Sequence, residues 1–129
     1  MGVCGSGKST VAQVLAEKCG GVFLDADDFH PQANIDKMTR GEPLDDADRA
    51  PWLATLAALL SESSDRSVFL ACSALKSRYR EILSAGRGDV QFVHLRGTPE
   101  LIRARLRARP GHFMPETLID SQFAALETP

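Results

Sequence analysis

The chain opens Met1-Gly2-Val3-Cys4-Gly5-Ser6-Gly7-Lys8-Ser9-Thr10, and residues 2–9 complete the pattern G-x-x-x-x-G-K-[ST]. Glycines at 2, 5 and 7 let successive backbone N–H groups converge on one concavity, where a polyphosphate can sit without side-chain interference. Lys8 adds a positive charge aimed at the outer phosphates, and the Ser9 hydroxyl is placed to ligate Mg²⁺. Beyond Ser9, Val11, Val14, Leu15 and Lys18 recur at helical spacing, so the phosphates lie at a helix N-terminus, which favours anions. Gly2, Val3, Cys4, Gly5, Ser6, Gly7, Lys8, Ser9 and Thr10 are therefore the expected nucleotide-binding segment, with Cys4 contributing backbone rather than sulfur chemistry. Such a loop ordinarily follows a buried parallel strand. Only Met1 to Val3 are available to supply it, so the first strand is expected to be a stub and the chain a shortened form or part of a longer protein.

Outward from the loop, strands and helices alternate. The helix over about residues 8–18 leads through Gly20-Gly21 into Val22-Phe23-Leu24, an apolar strand ending at Asp25. A second helix over 31–39 stops near Gly41, and Asp45-Asp46-Ala47-Asp48 offers capping side chains for a third, with Trp52, Leu53, Leu56, Leu59 and Leu60 on its apolar face. Val68 to Cys72 and Val90 to Leu95 read as two further strands, separated by a helix over 76–85 that carries Tyr79, Ile82 and Leu83 and closes at Gly86. Thr98 caps a helix running from Pro99 toward Arg107, and a last helix spans about Pro115 to Leu126. Apolar strands separated by helices specify an α/β fold: a parallel sheet with helices on both faces and right-handed crossovers, in one domain over residues 1–129. Ligands gather at the carboxyl ends of such strands. That brings the phosphate loop, Asp25 to His30, and Cys72 to Lys76 to one rim.

Composition narrows the function classes. The 129 residues are 43% hydrophobic and 25% charged, an ordinary soluble balance, with no apolar run long enough to cross a bilayer and no secretion signal at the start. Cys4, Cys19 and Cys72 are odd in number and lack metal-ligand spacing, which predicts reduced thiols in a cytoplasmic protein. Cys72 reads as a small core residue rather than a nucleophile. A formal charge of −2 argues against nucleic acid as a partner, and the one basic run, Arg103 to Arg109, is short and lacks interleaved aromatics.

Phosphoryl transfer needs a second group to organise Mg²⁺ beside Ser9, commonly an acid at the end of a buried strand. The strand at 68–72 ends in Cys72-Ser73 and supplies none, whereas Asp25-Ala26-Asp27 follows the strand at 22–24. Residues two apart in an extended segment face the same way, so both carboxylates can enter one cleft. Asp25 is expected to help hold the metal, and Asp27 to hold the acceptor hydroxyl and take its proton. Arg49 and Arg80 are candidates to anchor an anionic acceptor, and His30 and Lys76 share the rim. Arg105 and Arg109, with His112, lie where a lid over about 103–115 would bring positive charge onto the transferring phosphoryl group.

Taken in order, these stretches resemble the gluconokinase family. The resemblance runs through residues 2–10, Leu-Asp-Ala-Asp-Asp-Phe-His-Pro at 24–31, Asn34 with Lys37-Met38, Gly-Glu-Pro-Leu-Asp-Asp-Ala-Asp-Arg at 41–49 and Pro51-Trp52-Leu53. It continues through Cys-Ser-Ala-Leu-Lys at 72–76, Tyr79-Arg80, Gly-His-Phe-Met at 111–114, Gln122-Phe123 and Leu126-Glu127. It implies a nucleoside-monophosphate-kinase-like fold, incomplete at its first and last strands, that phosphorylates D-gluconate at the 6-hydroxyl with ATP and Mg²⁺, and a homodimer as the favoured assembly. Two other readings stand beside it: a kinase for another small hydroxy acid such as shikimate, and a catalytically silent shortened product that binds nucleotide or a full-length partner.

Overall fold

The computed structural model describes residues 1–62, 65–109 and 116–129. Among the described residues, six helices and two strands follow one another as α1 (Lys8–Cys19), β1 (Val22–Asp25), α2 (Gln32–Thr39), α3 (Asp46–Glu62), β2 (Val68–Ala71), α4 (Ser77–Ser84), α5 (Pro99–Ala108) and α6 (Glu116–Ala125), with a 3-10 turn over Ala26–Phe29 directly after β1. Local chemistry accounts for their ends. The Gly20 N–H caps α1 from a left-handed conformation. Asp45 and Asp48 cap each other's backbone at the start of α3: the Asp48 N–H donates to Asp45 Oδ1 at 2.8 Å, and the Asp45 N–H donates to Asp48 Oδ2 at 3.0 Å. Thr98 caps α5 by accepting from the Leu101 N–H at 3.2 Å.

Strands β1 and β2 pair in parallel, Val22 opposite Val68 and Asp25 opposite Ala71, and α1 packs against both. The core divides in two. Leu70 of β2 packs against a cluster in which Trp52, Leu53 and Leu56 of α3 meet Tyr79 and Leu83 of α4, with Ala26, Cys72 and Ala74 between them. A second cluster joins Val3 and Leu75 to Ile102 and Leu106 of α5 and Ile119 of α6, so the phosphate loop rests directly on the α5–α6 pair. Leu53, Leu56 and Ile102 are fully enclosed, and truncating any one to alanine costs about 2–5 kcal/mol.

The expected strand over Val90 to Leu95 does not form. Its apolar composition suits a strand, but a strand also needs a neighbour's ladder. Its backbone contact with the sheet runs through Met1: the Met1 ammonium donates to Val93 O at 2.6 Å, and the Leu95 N–H donates to Met1 O at 2.9 Å. Gly2 in turn donates to Ser73 O at 3.1 Å, which ties this stub to the end of β2. Between β2 and residues 89–93 lies a cavity of about 760 Å³, walled by Val68, Leu70, Val11, Leu15, Val90 and Phe92 among others.

Candidate active site

The phosphate loop is built as its glycines require. Gly2 has φ 148°, and a Cβ there would meet Leu95 O at 2.7 Å and Ser6 Oγ at 2.8 Å, so no larger residue fits. Gly7, with φ 94°, turns the chain into α1 and places no side chain over the helix start. The first amides of α1 therefore face outward without a side-chain cap, the arrangement in which helix N-termini bind phosphate. Lys8 lies within the loop, its Nζ donating to Val3 O at 2.9 Å. Burial pushes its ammonium below the ordinary lysine value, which makes an anionic partner there favourable.

Asp25 reaches this loop from the end of β1. Its Oδ2 accepts from Ser9 Oγ at 3.3 Å, and its Oδ1 accepts from the Asp27 N–H at 3.0 Å. Ser9 and Asp25, far apart in sequence, thus present a hydroxyl and a carboxylate to one point. These are hard oxygen donors of the kind Mg²⁺ takes in ones and twos beside phosphate. The segment after Asp25 is not extended as the sequence pattern suggested, because Asp25 caps the 3-10 turn at Ala26–Phe29. The turn still carries Asp27 into the cleft. Withdrawal from water and then the Asp25 charge raise the Asp27 carboxyl above its ordinary value, an effect limited by a side chain that is 84% exposed.

Trp52 supports this turn from beneath. Its Nε1 donates to Ala26 O at 2.7 Å, and its ring stacks on His30 with centroids 4.3 Å apart and planes 14° apart. The His30 side chain is only 5% exposed, and its Nε2 stands 3.9 Å from Asp27 Oδ1. Burial lowers the imidazole below its ordinary value, so the ring is neutral at pH 7. The Asn34 amide nitrogen lies 3.3 Å from Nδ1 and 2.9 Å from Asp48 O. With that amide donating, the His30 proton resides on Nε2, facing Asp27.

A second group lies across α3 and α4. Arg49 Nη1 donates to Leu44 O at 2.6 Å and to Tyr79 Oη at 3.2 Å. Lys76 Nζ lies 3.4 Å from Asp46 Oδ1, and Tyr79 Oη and Arg78 also bond Asp46. Arg49, Lys76 and Arg78 all stand within 6.0 Å of the Tyr79 ring centroid. Lys76 and Arg78 reach the Asp46 carboxylate and Arg49 joins them through Tyr79 Oη, which gathers one ammonium and two guanidinium groups suited to an anionic ligand.

Arg80, expected beside Arg49, belongs elsewhere. It is 8% exposed, and its guanidinium is occupied by Ala74 O at 2.8 Å, Leu75 O at 3.2 Å and Glu127 O at 2.9 Å. Ala74 and Leu75 lie in a turn in which Ala74 has φ 45°, and Arg80 ties that strained turn to the chain at Glu127 rather than facing a ligand. In α5, Arg103 pairs with Asp120, and Arg107 pairs with Glu116 at 2.6 Å. Arg105 and Arg109 make no ion pair among the described residues, which keeps the two expected lid arginines available. His112 and residues 110–115 of the expected lid lie outside the described residues. Cys72 is buried and its thiol is pushed up to about 11 by that burial, and burial likewise raises Cys4. Neither is an activated thiol.

Sequence reasoning missed the supporting residues. Trp52 carries only a core signal in the sequence, and Asn34, Tyr79 and Asp46 carry no site signal strong enough to assign a role. A polar Asn34 inside a short helix and a Tyr79 beside three basic residues were the signals available.

The whole chain, residues 1–129, matches the family model described as "AAA domain". It is 49% identical to a rat protein named "Probable gluconokinase", covering 100% of this chain and 80% of that one. It is 44% identical to the "Thermoresistant gluconokinase" of Escherichia coli K12, covering 100% and 75%. The chain belongs to the gluconokinase family. A crystal structure of a gluconokinase from Sinorhizobium meliloti superposes with a TM-score of 0.93 at 45% identity, over 100% of this chain and 73% of that one. A sugar kinase from Janibacter, in an unliganded structure, gives 0.92 at 47% identity. The α/β architecture with its phosphate loop is thus the gluconokinase fold.

Proposed function

We propose that this chain transfers the terminal phosphoryl group of ATP to the 6-hydroxyl of D-gluconate, giving 6-phospho-D-gluconate. The observation that carries this reading is the convergence of Ser9, Asp25 and Asp27 on the mouth of the phosphate loop, with the cationic group around Tyr79 on the same rim. Nucleotide phosphates meet the loop amides, the start of α1 and Lys8. Ser9 and Asp25 would hold Mg²⁺, which when bound neutralises charge on the phosphates. Asp27 accepts the hydrogen bond of the attacking hydroxyl and takes its proton, and its raised carboxyl makes it a better base. His30 stands beside Asp27, its Nε2 3.9 Å from Asp27 Oδ1. Arg49 and Lys76 hold the acceptor's carboxylate, and Arg105 and Arg109 bring positive charge onto the transferring group.

The reduced cysteines and small sugar-acid substrate support a place in cytoplasmic carbohydrate metabolism and gluconate use; sizing in solution tests the homodimer the family resemblance favours. The decisive experiment couples ATP consumption to 6-phosphogluconate formation across a panel of sugar acids, shikimate and nucleoside monophosphates. Gluconate is expected to dominate. Equal rates with shikimate or a nucleoside monophosphate would remove the assignment.

A further inference from the structure

The stretch from Gln122 to Glu127 has no part in the chemistry above, yet it touches both halves of the site. From α6, Gln122 Oε1 accepts from the Cys4 N–H of the phosphate loop at 2.6 Å. Five residues later, the Glu127 N–H donates to Leu75 O at 2.8 Å, and Glu127 Oε1 accepts from the Ser77 N–H at 3.2 Å. Ser77 opens α4, and Lys76 before it provides no side-chain cap of its own. The Glu127 carboxylate therefore caps the helix that carries Tyr79, at the residue following Lys76. Arg80 closes the connection by holding Glu127 O together with Ala74 O and Leu75 O.

We propose that Gln122 and Glu127 are positioning residues, Gln122 for the nucleotide half of the site and Glu127 for the acceptor half. The proposal rests on the kinase reading above for the identity of the two ligands. Cys4 sits between Gly2 and Gly5, so a fixed Cys4 amide fixes the curvature of the loop whose later amides receive phosphate. Without Gln122 that N–H, in a half-buried position, loses its partner and the loop gains conformations that must be frozen when ATP binds. Glu127 acts on a different element. Losing its carboxylate frees the first turn of α4 and with it Lys76, while Cys4 keeps its partner.

Specificity of effect separates this from plain structural support. Gln122→Leu is expected to weaken ATP binding about tenfold, the equivalent of 1.4 kcal/mol, as read by calorimetry or displacement of a fluorescent ATP analogue, with gluconate KM within about twofold of the parent. Glu127→Leu is expected to raise gluconate KM roughly fivefold and leave ATP affinity within about twofold. Gln122→Glu and Glu127→Gln keep an acceptor oxygen and should restore most of each loss. Gln122→Ala serves the same test where the leucine variant does not fold. Parallel loss of both affinities in either variant, or an ATP affinity in both Gln122→Leu and Gln122→Ala within about twofold of the parent, overturns the proposal. The nucleotide measurement needs no turnover. A parent chain that binds ATP but forms no 6-phosphogluconate would sink the gluconate assignment, and the Gln122 variants would still decide the nucleotide half of this proposal.

Discussion

Replacing Trp52 with phenylalanine tests the link between the core and the turn that carries the proposed catalytic aspartates. Trp52 is 5% exposed, and its Nε1 donates to the carbonyl of Ala26, which is 1% exposed and sits between Asp25 and Asp27. Phenylalanine keeps a ring beside His30 but has no N–H. The Ala26 carbonyl then loses a buried donor at about 1–3 kcal/mol, and the smaller ring leaves space that adds to the cost. A total of about 2 kcal/mol corresponds to a fall of roughly 8 °C in Tm for a domain of this size. Because the same bond sets the turn that carries Asp27, kcat for gluconate should fall by about tenfold or more. Thermal unfolding by circular dichroism and the coupled kinase assay read the two effects on one preparation. A Tm within about 2 °C of the parent, or an unchanged kcat in a clearly destabilised variant, would refute the coupling.

Lys8→Ala should reduce turnover by roughly 10²–10³-fold while Tm holds or rises, because the ammonium is buried beside a single carbonyl; retained turnover would exclude the phosphate-loop mechanism. Arg105→Ala and Arg109→Ala should each lower kcat by at least about tenfold, whereas Arg103→Ala and Arg107→Ala, which break surface pairs to α6, should cost only about 0–1 kcal/mol of stability. His30 supplies a pH signature. Its imidazole is held below the ordinary value of about 6.5 by burial, with Asp27 opposing and Arg49 assisting, so the unfolded chain takes up the proton first. Stability is therefore lost as pH falls below about 6.5 toward the folded value, and His30→Gln should flatten urea-midpoint curves over that window. Asp27, raised in the fold, has the opposite sign: it contributes stability in acid that is lost as pH rises through its folded value, so the two are separable.

Local rules carried most of the fold. The phosphate loop, the caps at Asp45 and Thr98, and the amphipathic stretches that became α3, α4 and α5 depend on residues within a turn or two of each other, and they stand where the sequence put them. Asp25 and Asp27 were legible from their position after an apolar strand, although the 3-10 turn between them was not. The expected strand at Val90 to Leu95 failed because strand formation depends on a neighbour in space, and composition alone does not provide one. Arg80 misled for a similar reason. An arginine on a helix reads as exposed, and only the fold reveals the three carbonyls that enclose it. Trp52 shows the reverse: its apolar ring is legible as core, while the indole N–H that reaches the turn bearing Asp27 has no sequence signature.

The cavity beside β2 gives that strand two different solvent environments. In the parallel register with β1, the Val22 N–H donates to Ser67 O, so the amides of Phe69 and Ala71 point toward β1 and those of Val68 and Leu70 point into the cavity. Hydrogen exchange along β2 will accordingly alternate residue by residue. Phe69 and Ala71 will exchange through opening of the sheet, and Val68 and Leu70 through direct contact with water. A single strand thereby reports separately on the cohesion of the sheet and on the filling of the space beside it.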